Sequence, residues 1–87
     1  MRYWYRAVLL RGHEGARKQK ELTAYLFAEN PVEVRDRIIE MPAVRGRYKS
    51  IRRISDDQAM RLEKRIVDEG RITLEKARET WYYPDIN

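Results

Sequence analysis

An 87-residue chain of 10.6 kDa has room for one small domain, and residues 1–87 read as a single compact unit. Its 19 Lys and Arg against 14 Asp and Glu give a formal net charge of +5, and charged residues make up 38 % of the chain, so a modest core lies under a densely charged surface. Cysteine is absent and histidine occurs once, which excludes disulfides, thiolate catalysis, iron–sulfur clusters and the usual cysteine or multi-histidine zinc sites.

The first predicted element is a strand from Arg2 to Leu10, rich in aromatic and β-branched residues. Alternation places Tyr3, Tyr5, Ala7 and Leu9 on one face and Trp4, Arg6, Val8 and Leu10 on the other. Both faces are mostly apolar, which suits a central strand. Arg11 to Glu21 carries Gly12, Gly15 and four basic residues and reads as a hairpin loop longer than the tight two-residue kind. Leu22 to Ala28 is the second strand, with Thr23, Tyr25 and Phe27 opposite Leu22, Ala24, Leu26 and Ala28.

Asn30, Pro31 and Glu33 then form a helix start: a capping side chain, a proline at the first helical position and a carboxylate placed to reach back. Pro31, Val34, Ile38 and Met41 recur at helical spacing, and Pro42 stops the run. Tyr48 to Ile54 reads as a third strand, interrupted by Arg52 and Arg53. Ser55 with Gln58 is a capping-box signature for a second helix, whose stripe is Ala59, Leu62 and Ile66 and whose end is Gly70. Thr73 caps a short third helix on which Leu74, Ala77 and Trp81 share a face; the spacing therefore predicts that Trp81 docks in the core from that helix.

The expected fold class is α+β: a small three-stranded sheet in β-β-α-β-α-α order with the first strand central, packed with helices. An antiparallel hairpin followed by a helical crossover brings the third strand to the far side of the first, parallel to the second without touching it. The first helix covers one sheet face, and the C-terminal pair covers that face or the other. No run approaches the ~20 apolar residues of a membrane-spanning helix, and the opening residues lack a signal peptide's long apolar centre. The expectation is a cytoplasmic protein with no membrane partner.

Charge is uneven along the chain. Residues 1–54 hold 13 basic and 6 acidic groups, and residues 55–87 hold 6 and 8. The excess gathers at Arg17, Lys18 and Lys20 in the hairpin loop, and at Arg45, Arg47, Lys49, Arg52 and Arg53 around the third strand, with Tyr48 inside the second cluster. Such cations suit phosphate, and an accessible ring can stack a base; ordinary solvated charge is the bland alternative. The 14 Arg against 5 Lys slightly favour phosphate, because guanidinium makes planar bidentate contacts.

No catalytic constellation emerges. His13 has no second ligand or partner base, and Gly12 and Gly15 match neither phosphate-loop spacing. Asp56 and Asp57 have a full explanation in the first turn of a helix. The chain is expected to be no enzyme and to use no cofactor or metal.

The run from Leu22 to Glu33, a strand entering an Asn-capped helix, resembles a segment of a family of small archaeal and eukaryotic ribosomal proteins. The resemblance covers the first half of the chain. The C-terminal helix pair departs from that pattern, and no residue role is carried over.

The leading expectation is a small binding protein that contacts RNA or DNA backbone through its basic loops. The alternative is a protein–protein interaction or oligomerisation module. It rests on the aromatics crowded at both chain ends (Tyr3, Trp4 and Tyr5, then Trp81, Tyr82 and Tyr83) and on the edge strand Leu22 to Ala28, which a second copy could extend.

Overall fold

The structure, a computed structural model, describes residues 1–11, 20–41, 44 and 46–84, with Arg11 described by its backbone alone. The sequence expectations attached to Gly12, His13, Gly15, Arg17, Lys18, Pro42 and Arg45 lie outside the described residues.

Strand β1 (Tyr3–Arg11) pairs antiparallel with β2 (Lys20–Ala28) on one side and with β3 (Tyr48–Arg53) on the other. The sheet order is β2-β1-β3, as the two apolar faces of β1 require. Helix α1 (Pro31–Ile39) connects β2 to the region before β3; α2 (Asp56–Glu69) and α3 (Leu74–Glu79) follow. No helix among the described residues is long and apolar enough to cross a membrane.

Local capping explains where the helices begin and end. Asn30 Oδ1 accepts from the Glu33 backbone N–H, but the Glu33 carboxylate pairs with Arg2 at 3.0 Å instead of reaching back. The full reciprocal box forms at Ser55 and Gln58. Gly70 closes α2 at φ +68°, the left-handed conformation that glycine adopts without a Cβ penalty. The Thr73 side chain accepts from the Lys76 N–H and starts α3.

The sheet is covered on both faces. On one, Tyr5, Ala7, Leu9, Ala24 and Leu26 pack with Val34 and Ile38 of α1, and Met41 and Val44 extend the cluster. On the other, Trp4 packs with Leu62 and Ile66 of α2, Ala77 of α3 and Tyr82. The C-terminal helix pair therefore takes the face opposite α1. Two covered faces also explain how nine aromatic residues are accommodated: Trp4, Tyr5 and Tyr82 are buried, five more are partly buried, and Tyr48 is exposed. Trp4 Nε1 donates to Glu63 Oε2 at 2.8 Å, and the same oxygen accepts from Arg78, so one carboxylate ties β1, α2 and α3 together.

The C-terminus departs from the sequence expectation. Helix α3 stops at Glu79, and Trp81 is not on it. The Thr80 hydroxyl bonds back to the Lys76 carbonyl, and Arg37 of α1 donates to the carbonyls of Glu79 and Thr80. The chain then runs extended, and Tyr82 exchanges both backbone hydrogen bonds with Tyr25 at the outer edge of β2, at 2.8 and 2.9 Å. Trp81 is half-buried and packs toward the α1-side cluster, while Tyr82, at 2 % exposure, is the deep anchor. Helical spacing from Leu74 to Trp81 loses here to long-range groups that it does not encode.

Candidate functional site

Arg37 also donates to the Phe27 carbonyl at 2.7 Å, so it satisfies three carbonyls on two elements, and its burial holds the guanidinium below the ordinary arginine value. Together with the Tyr25–Tyr82 bridge, this occupies outward-facing groups of β2 at Tyr25 and Phe27. Those are groups that a second copy would need to extend the sheet from that edge.

The cations singled out from the sequence separate in space. Lys20 begins β2, while Arg47, Tyr48 and Lys49 lie at the same end of the sheet, where Leu10 N–H donates to the Arg47 carbonyl. The register places Val8 opposite Ser50 and Leu9 opposite Tyr48, so Lys49 is the extra residue of a β-bulge. Its ammonium reaches Glu21 at 3.0 Å and is already paired. Arg53 lies 3.5 Å over the Tyr3 ring, with Asp56 at 3.9 Å. Arg17, Lys18 and Arg45 lie outside the described residues.

Arg52 has a different setting. It sits directly across from Arg6 on the central strand, on the face that α2 only partly covers. Like charges in this relation repel, and neither arginine has an ion-pair partner among the described residues. Arg61 and Arg65, one turn apart on α2, face the same concavity of about 440 Å³. Arg53, Tyr25 and Gln58 contribute to its lining, with Ile54 and Leu62 as apolar residues, and no carboxylate among the described residues lines it. Arg65 bonds the Pro84 carbonyl at 3.0 Å and lies 3.6 Å from Glu69. Arg6, Arg52 and Arg61 have no ion-pair or side-chain hydrogen-bond partner among the described residues.

A larger concavity, about 790 Å³, lies between α1 and α3, but its charges are largely spent within the fold. Arg2 pairs with Glu33, Arg37 holds backbone carbonyls, and Arg78 is bound to Glu63. It also contains Glu75 and Glu79, so it presents no single sign of charge. The smaller concavity, whose charged lining among the described residues is all arginine, is the stronger site for an anion.

Sequence reasoning names Arg52 and Arg53, which both line the concavity, and misses Arg6, Arg61, Arg65 and Tyr25. A signal exists for two of them: Arg61 and Arg65 flank the buried Leu62 and Ile66 at a spacing of four, which puts both on the border of the packed stripe. Arg6 carries a weaker signal, as the one charged residue inside an otherwise apolar strand face. Compared with protein-family models, curated proteins and solved structures, the chain finds no match in any of the three, and the ribosomal-protein resemblance therefore adds nothing to the reading of this site.

Proposed function

We propose that this chain binds nucleic acid through backbone phosphates, without catalysis, and that the arginine-lined concavity between the sheet and α2 is the principal contact. The observation that carries the reading is the convergence of Arg6, Arg52 and Arg61 on one concavity that no carboxylate lines among the described residues. Guanidinium groups match phosphate oxygens bidentately, and a bound phosphate would relieve the repulsion between Arg6 and Arg52. The exposed Lys20 and Arg47, at the far end of the same sheet, offer further phosphate contacts along the strand direction.

Three phosphates neutralised on a single strand correspond to a log–log salt slope of about −2, or about a 20-fold loss of affinity between roughly 50 and 200 mM salt. Fluorescence anisotropy with labelled RNA and DNA of mixed sequence measures this directly. The Arg6→Glu/Arg52→Glu/Arg61→Glu variant is expected to lose binding while remaining folded by circular dichroism. Equal binding by the folded variant and the wild type, or none by either, would overturn the proposal.

A second reading, an interaction module, draws on exposed apolar residues one heptad apart: Val32 and Ile39 on α1, Met60 and Val67 on α2. Light scattering over a wide concentration range tests its homo-oligomer form, and a monomer at every concentration removes that form.

A further inference from the structure

We infer that the concavity accepts an unpaired nucleotide, with phosphate on the arginines and the base against the Tyr25 ring, so that the protein prefers single-stranded nucleic acid to duplex. This rests on the phosphate-binding reading above and goes further, because phosphate contact alone does not distinguish the two forms.

Three observations carry it. The first is shape. Arg6 and Arg52 rise from the sheet, and Arg61 and Arg65 come from α2, so cations stand on two walls of one cleft instead of along a flat track. At about 440 Å³ the cleft falls within the range of small-ligand pockets and is far too small to admit a double helix.

The second is the ring. Tyr25 is the aromatic residue lining the cleft, and it is partly buried against the cluster of Trp4, Leu62 and Ile66. Its backbone is fixed twice, by β1 across the sheet and by Tyr82 at the edge. Its position is therefore set before any ligand arrives. Stacking on such a fixed ring is tolerant of base identity, since every base has a π-face.

The third is the combination. In a duplex the bases are stacked inward, so a base reaches a ring in a cleft only after extrusion, at an unstacking cost that a single strand largely avoids. The arginines and Tyr25 line one concavity of about 440 Å³, so phosphate and base contacts are offered within a single small cleft.

Binding of the wild-type chain is compared for a single-stranded oligonucleotide, the same sequence as duplex, an abasic strand with the same phosphate number, and a free mononucleotide. Tyr25→Phe and Tyr25→Leu are measured in parallel. The single strand is expected to bind at least about tenfold more tightly than the duplex, and the abasic strand about tenfold more weakly than its base-bearing counterpart. Tyr25→Phe retains the preference and Tyr25→Leu loses it. Weaker binding of the free mononucleotide than of the strand supports a nucleic-acid ligand; equal binding overturns the strand and leaves a nucleotide pocket.

The abasic arm uses unaltered protein, so it stays decisive if Tyr25→Leu fails to fold. Duplex binding as tight as single-strand binding, or no loss with the abasic strand, overturns this inference while leaving phosphate binding intact. Absence of binding to every nucleic acid overturns the function proposed above as well.

Discussion

Replacing Tyr82 with alanine tests how the C-terminal segment holds the fold together. The residue is 2 % exposed and belongs to the cluster of Trp4, Leu62, Ile66 and Ala77. Its backbone hydrogen bonds to Tyr25 survive the substitution in principle, so the loss lies in the ring and its hydroxyl. An aromatic side chain buries roughly 150–250 Å². At about 25 cal/mol per Å² the lower end gives about 4 kcal/mol, within the roughly 3–5 kcal/mol usual for removing a large ring from a core. A domain of this size has a stability of only about 5–10 kcal/mol, so the variant should be close to unfolding on mild heating. Trp81→Ala removes a half-buried ring and should cost less, about 1–2 kcal/mol. Urea denaturation followed by circular dichroism measures both. A cost below about 1.5 kcal/mol for Tyr82→Ala, or a larger cost for Trp81→Ala, would refute the packing described and favour a third helix that continues to Trp81 as local spacing predicts.

Arg37→Met keeps the aliphatic stem but strands the carbonyls of Phe27, Glu79 and Thr80, and should destabilise by about 3 kcal/mol in the same urea assay. Hydrogen bonds from the Tyr82 hydroxyl and then Arg71 hold the Glu69 carboxyl below its ordinary value. That contribution to stability is present in full above the ordinary carboxylate value and is lost as pH falls through Glu69's own lowered one. Tyr82→Phe should therefore flatten the acid limb of a plot of urea midpoint against pH; an unchanged limb would count against the contact. Arg6→Thr removes one member of the like-charged Arg6–Arg52 pair and should raise Tm at low ionic strength while weakening phosphate binding. That gain should fade with added salt, and a gain independent of salt would assign it to strand propensity.

Much of the fold is legible because its determinants are local. Asn30, Ser55 with Gln58, Thr73 and Gly70 each satisfy backbone groups within a few residues of themselves, so residue type and spacing are enough to place them. The central position of β1 is legible from a strand with two apolar faces, since only a strand covered on both sides can bury Tyr5, Ala7 and Leu9 together with Trp4. The path after Glu79 is not legible. It depends on Arg37, 42 and 43 positions away from its acceptors, and on a free edge at Tyr25 that exists only once β2 has paired with β1. Within helical periodicity alone, Leu74, Ala77 and Trp81 make a consistent stripe that carries no sign of this competition.

The candidate site divides in the same way. Totals of charge by chain segment draw attention to the span around Arg52 and away from residues 55–87, whose balance is acidic. Yet two acids of that stretch are engaged within the fold: Glu63 with Arg78 and Trp4, and Glu69 with Tyr82 and Arg71 and, at 3.6 Å, with Arg65. With those carboxylates engaged, Arg61 and Arg65 turn a formally acidic helix into one wall of a cationic cleft. Conversely, Lys49 belongs to the most basic span of the sequence and is paired with Glu21 across the central strand. What decides the local potential is which charges the fold leaves without partners, and that depends on strand register and helix docking. Arg6 and Arg52 meet only because β3 returns beside β1 in this register; a slip of one residue would send Arg52 to the face occupied by α1. The pairing that fixes the sheet is therefore also the pairing that assembles the site.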